Sequence, residues 1–118
     1  MSFLRWFTRN WADTEEPGDA ALAPVDLPLP PPEALARIEA AVRTLPRWQV
    51  ASVDAAGGTL KATRSTRLWR FVDDVTIRVE ALPAGSRVHA RSQSRVGTGD
   101  FGQNRRNLLE LFRALARR

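Results

Sequence analysis

The sequence predicts one α+β domain: a helix, a four-stranded antiparallel meander and a C-terminal helix, with both helices on one sheet face and an extra amphipathic helix at the N-terminus. Three observations lead there. Leu35, Ile38, Val42 and Leu45 recur at helical spacing; four following stretches alternate apolar and polar residues between short glycine or proline turns; and Phe101, Leu108, Phe112 and Leu115 form a second helical stripe. A chain of 118 residues with 43% hydrophobic side chains supports one modest core rather than two domains.

Residues 1–12, wound as a helix, gather Phe3, Leu4, Phe7 and Trp11 on one side with Trp6 at its edge, and set Arg5 and Arg9 opposite. Such a helix suits a place against the domain or a partner such as a second copy of it before a membrane interface, because one short helix with two arginines binds a membrane only weakly. Residues 13–31 are rich in proline and read as a linker or a strap lying along the body through Leu22, Val25, Leu27 and Leu29. The α+β domain itself occupies 32–118. Its first helix opens at Pro32 and stops before Pro46, because proline suits a first helical turn and breaks an interior. Strands follow at 48–54 and 59–66 around Ala55-Ala56-Gly57-Gly58, then at 72–81 and 87–96 around Pro83-Ala84-Gly85. Asp100, with Gln103 three residues on, marks the start of the last helix as its cap.

Charge is segregated along the chain. Residues 1–60 carry a net −3, 61–84 a net +2 and 85–118 a net +6. Alternation puts Arg78, Arg87, His89 and Arg91 on the solvent face of the sheet beside Arg95, a basic face that suggests an anionic membrane surface or an acidic protein as partner. Nucleic acid is disfavoured, since aromatic and basic residues do not interleave into a stacking stripe. The chain has no cysteine, which excludes disulfides, thiolate metal sites and thiol redox chemistry, and its single histidine stands in no ligand-spaced cluster, so no metal and no cofactor are expected. With no apolar run of membrane-spanning length and no secretory signal pattern, the expected compartment is the cytoplasm, with peripheral membrane contact through the first helix.

Phe71-Val72-Asp73-Asp74-Val75, then Val88-His89-Ala90-Arg91-Ser92-Gln93-Ser94-Arg95-Val96-Gly97, then Asp100-Phe101-Gly102-Gln103-Asn104-Arg105-Arg106 resemble the bacterial and plastid family called domain of unknown function 1499 (DUF1499). The resemblance covers about residues 27–118, including Pro32-Glu33-Ala34-Leu35. Members usually carry a Cys-Val-Ser-Ser-like segment upstream, often after a lipoprotein or membrane signal; this chain has Glu15-Glu16-Pro17-Gly18 there, so any role of that segment is not carried over. The resemblance implies a fold and no activity.

Asp73 and Asp74 are strand neighbours and point to opposite faces, so they cannot converge on one substrate as an acid and base pair. Asp73 shares the inward parity of Val75 and Ile77 and needs a partner, for which Arg105 on the last helix is the candidate; Asp74 faces solvent and answers Arg95. The strand–glycine loop–helix junction offers an alternative site, where Arg95, Gly97, Asn104 and Arg105 could hold an anion, opposed by Asp100 competing for the same helix-end donors. Ser92 and Ser94 read as small inward packing residues. The expected function is a non-catalytic binding or structural accessory module, peripheral to a membrane or self-associating as a homo-oligomer. The alternatives are a small-ligand protein or enzyme using Arg95, Asp100, Asn104 and Arg105, and a nucleic-acid binder using the basic face.

Overall fold

In the computed structural model, residues 11–15, 22–65, 71–95 and 102–116 are described. Helix α1 spans Pro31–Thr44, with prolines in its first turn, Glu33 near its positive end and Arg43 near its negative end. It buries Ala34, Leu35, Ile38 and Val42, then ends at Leu45 in extended geometry, and Arg47 at φ 66° turns the chain into the sheet.

Strands β3 (Trp48–Asp54), β4 (Thr59–Ser65), β5 (Val72–Leu82) and β6 (Gly85–Ser94) form the antiparallel meander that alternation predicts. Asp73, Val75, Ile77 and Val79 of β5 and Ser86, Val88, Ala90 and Ser92 of β6 turn inward, while Thr76, Arg78 and Glu80 face water. Helix α2 (Gln103–Ala116) lies with α1 on the inward face, so the core is a single layer between two helices and one sheet.

Among the described residues the sheet has six strands, not four. Two short strands, β1 (Trp11–Asp13) and β2 (Val25–Leu27), both pair antiparallel with the outer edge of β6. Asp13 stands opposite Arg91 and Val25 opposite Val88, so between the two strands the β6 edge leaves only His89 and Ala90. Thr14 closes that gap: its amide donates to the Ala90 carbonyl and its Oγ1 accepts the Ala90 amide, each at 2.9 Å.

The physical reason for the extra strands is the edge of β6. A meander would leave its backbone donors and acceptors open, and the N-terminal segment satisfies them while burying Ala12, Leu22 and Leu27. Trp11 and Ala12 are therefore in a strand rather than in the expected N-terminal helix. Ala12 fits the inward position opposite Ser92, and the Trp11 ring lies under the Arg91 guanidinium at 4.7 Å on the wet side. Phe3, Leu4, Trp6 and Phe7, the other members of that helix, lie outside the described residues.

Gly85 shows how closely the edge segment sits. Its φ is 156°, and a Cβ there would run into the Leu27 carbonyl oxygen. The Ser86 hydroxyl donates to the Leu29 carbonyl at 2.6 Å, pinning the same segment.

Candidate functional site

Two constellations assemble the sequence's candidate residues, one on each face of the sheet. On the solvent face each predicted cation has a carboxylate. Arg95 takes both oxygens of Asp74 at 2.9 Å across β5 and β6, and Arg87 takes both oxygens of Asp26 at 2.8 and 3.1 Å. Arg78 meets Glu15 at 2.9 Å, Arg91 meets Asp13 at 3.2 Å, and His89 Nε2 meets Glu80 at 2.8 Å.

Three of those carboxylates, Asp13, Glu15 and Asp26, come from β1, the residues just after it and β2. The acidic N-terminal part of the chain is thus laid on the basic C-terminal strand. The Arg87 hydrogen bond holds the Asp26 carboxyl below its ordinary value, and Asp26 raises Arg87 in return. The His89 hydrogen bond lowers Glu80, and the Asp74 hydrogen bond raises Arg95. His89 Nδ1 is buried and makes no hydrogen bond.

On the inward face a polar circuit is set into the core. Asp73 is 2% exposed, and Ser92, Asn104 and Asn107 are fully buried. Asn107 Nδ2 donates to Asp73 Oδ2 at 2.7 Å and to Ser92 Oγ at 3.1 Å. The Ser92 hydroxyl donates to Asn104 Oδ1 at 2.5 Å, Asn104 Nδ2 donates to Ser94 Oγ at 2.8 Å, and the Ser94 hydroxyl returns to Asp73 Oδ1 at 2.9 Å. The circuit is closed, and it joins β5, β6 and α2 through one carboxylate. Gln103 extends it by donating to Asn107 Oδ1 at 2.7 Å.

Asp73 is buried where alternation puts it, and Asp74 meets Arg95 as the parity argument requires. On α2, the residues buried against the sheet are Asn104, Asn107, Leu108, Leu111, Ala114 and Leu115, while Arg105 flanks that stripe at intermediate exposure. Asp73 accepts from the neutral donors Ser94 and Asn107. Of the suggested anion site, Arg95 stands on the solvent face and Asn104 inside the circuit, on opposite sides of the sheet; Gly97 and the expected cap Asp100 lie outside the described residues.

Sequence reasoning missed Asn107, although its spacing of three from Asn104 on a helix that also buries Leu108 and Leu111 was the available signal. It also missed Glu110, which accepts the Trp48 indole N–H at 2.7 Å and stands 3.5 Å from Arg64 Nε, tying α2 to the first hairpin. Among the described residues no group of histidine, cysteine and carboxylate side chains has metal-binding geometry, and no helix is long and apolar enough to cross a membrane.

Comparison with known proteins adds three findings. A family model described as protein of unknown function (DUF1499) matches residues 8–115, a span that takes in β1 and β2 as well as residues 27–115 of the stretch that carries the resemblance. No curated protein matches the chain. Among solved structures, the crystal structure of Ara h 8.0201 is similar at 12% identity and a TM-score of 0.55, covering 89% of this chain and 94% of that one, a likeness of fold alone.

Proposed function

The chain belongs to the DUF1499 family, whose description assigns no activity, and we propose that it is a non-catalytic binding or structural accessory module that works through protein contacts. The observation that carries this reading is the pairing of Arg78, Arg87, His89, Arg91 and Arg95 with carboxylates of the same chain. A face whose cations are already matched offers little net attraction to phosphate, because a nucleic acid or an anionic bilayer gains affinity from cations free to replace its counterions. The same pairing weighs against nucleic-acid binding. Against a small-ligand or enzymatic site stands the placement of Arg95 and Asn104 on opposite sides of the sheet, with the buried polar atoms of the circuit bonded to one another. Contact with a membrane would rest on Phe3, Leu4, Trp6 and Phe7.

The test uses the full-length chain with phosphatidylserine vesicles and, separately, with double-stranded DNA at low salt. Any binding is expected to be unchanged by Arg87→Gln and Arg91→Gln. A salt-sensitive affinity that these two substitutions abolish would move the function to an anionic partner.

A further inference from the structure

We propose that the free edge of β3 pairs antiparallel with the same edge of a second copy, so that two sheets join into one across a two-fold axis. This names a partner for the protein-binding module proposed above and rests on that reading.

The two edges of the sheet are finished differently. β1 and β2 close the β6 edge, whereas β3 ends the other side and pairs, among the described residues, with β4 alone. A seven-residue strand in that state presents open backbone donors and acceptors, to which another strand can add. β3 holds no lysine, arginine or proline to turn such a strand away, and its residues from Ala51 to Asp54 are all exposed. Val53, 40% exposed, shares with Phe71 the place of large apolar side chain left open among the described residues. The charges at the two ends are unmatched as well. Arg47 stands just before the strand and Asp54 ends it; neither has an ion-pair partner among the described residues, whereas Arg78, Arg87, Arg91 and Arg95 on the solvent face all do.

What identifies the occupant as a second copy is the register. Pairing with β4 puts Trp48, Val50 and Val53 on the helix face and Gln49, Ser52 and Asp54 on the solvent face, and the bulge at Ala51 switches the alternation midway. When two copies keep their helices on the same side of a joined sheet, residues directly opposite must share a face. With the switch at Ala51, β3 meets that condition against itself when Trp48 stands opposite Val53 of the other copy and Gln49 opposite Ser52. The same register sets Arg47 of each copy opposite Asp54 of the other, so the unmatched charges answer one another at both ends. A slip of one residue puts inward Val53 against outward Gln49, and a slip of two parts Arg47 from Asp54. A bulge commonly blunts an edge. Here it makes the strand complementary to itself, and the small side chain of Ala51 lies beside the axis where the two bulges meet.

The test follows the solution mass of the full-length chain over a concentration series at low salt, where a dimer whose fraction rises with concentration is expected. Arg47→Asp, which the φ of 66° there tolerates, and Asp54→Arg each set like charges opposite at both ends, and each alone should weaken self-association about tenfold or more. Mixed, the two variants should form a heterodimer in which both ion pairs return with reversed sense. Circular dichroism checks that each variant is folded. Because Asp54 also accepts the Gly57 amide in the hairpin turn, a second pair of variants leaves it intact. Gln49→Cys and Ser52→Cys, mixed and oxidised, should form a disulfide between the two different variants, in a chain that otherwise has no cysteine. A native chain that is monomeric at every concentration overturns the proposal. So does a dimer that Arg47→Asp leaves unchanged, or one whose cysteine variants form no mixed disulfide, because its interface then lies elsewhere. These measurements involve no vesicle and no nucleic acid, so such a failure leaves the protein-contact reading to be judged by its own assays.

Discussion

Asn107 supplies two donors to the buried circuit, one to Asp73 and one to Ser92. Asn107→Ala takes both away and leaves a carboxylate oxygen of Asp73, a residue only 2% exposed, without that partner, a loss of about 2–3 kcal/mol. Chemical denaturation should show it as a lower midpoint with an unchanged slope, and Arg95→Ala on the solvent face should shift the midpoint measurably less. The burial of Asp73 was legible because strand parity has a period of two and cannot drift. The part played by Asn107 on the helix was not. Phe101, Leu108, Phe112 and Leu115 also satisfy a helical stripe, and choosing them rotates the helix enough to bring Arg105 inward and put Asn107 aside. Two asparagines on a core face contradict the usual polarity rule, and the inward serines together with Asp73 and Gln103 satisfy their amides there.

At the scale of elements, length decided what could be read. Strands β5 and β6 are 11 and 10 residues long and show several alternations each, so their faces and partners followed from the sequence. Strands β1 and β2 have three residues each, too few for any period, and they meet separate stretches of the β6 edge. Their signal was chemical instead: one acid in each, Asp13 and Asp26, facing Arg91 and Arg87 on β6. Gly85 is the element-level control on this edge. Gly85→Ala should force Leu27 away from β6, cost about 1–3 kcal/mol from a strained φ and a backbone clash, and remove hydrogen-exchange protection from Val25–Leu27 while leaving the amides of β4 protected.

Over the whole molecule, the segregation of charge from −3 at the N-terminal half to +6 at the C-terminal third is an instruction for folding the chain back on itself. The numbers were visible in the sequence; their use was not, since a basic face and a face waiting for its own acidic strand look alike until the partner strand is found. The pairing has a pH signature. Asp26 and Glu80 have folded values lowered from 3.8 and 4.5 by their bonds to Arg87 and His89. Their contribution is therefore complete above those unfolded values and is lost as pH falls from there through the folded values. Urea midpoints measured from pH 7 down to about pH 3 should decline in the acid range, and Asp26→Asn should lower the midpoint at pH 7 and flatten that decline.

The pairing of Trp11 with Gln93 also dictates an order of events during synthesis. Among the described strands the first in chain order belongs beside the last, so β1 and β2 emerge long before β6 exists to receive them. Throughout that interval Ala12, Leu22 and Leu27 have no socket and Asp13, Glu15 and Asp26 have no arginines from β5 or β6. The acidic charge of the waiting segment keeps it hydrated, and the sheet gains its last edge only after the meander has been completed.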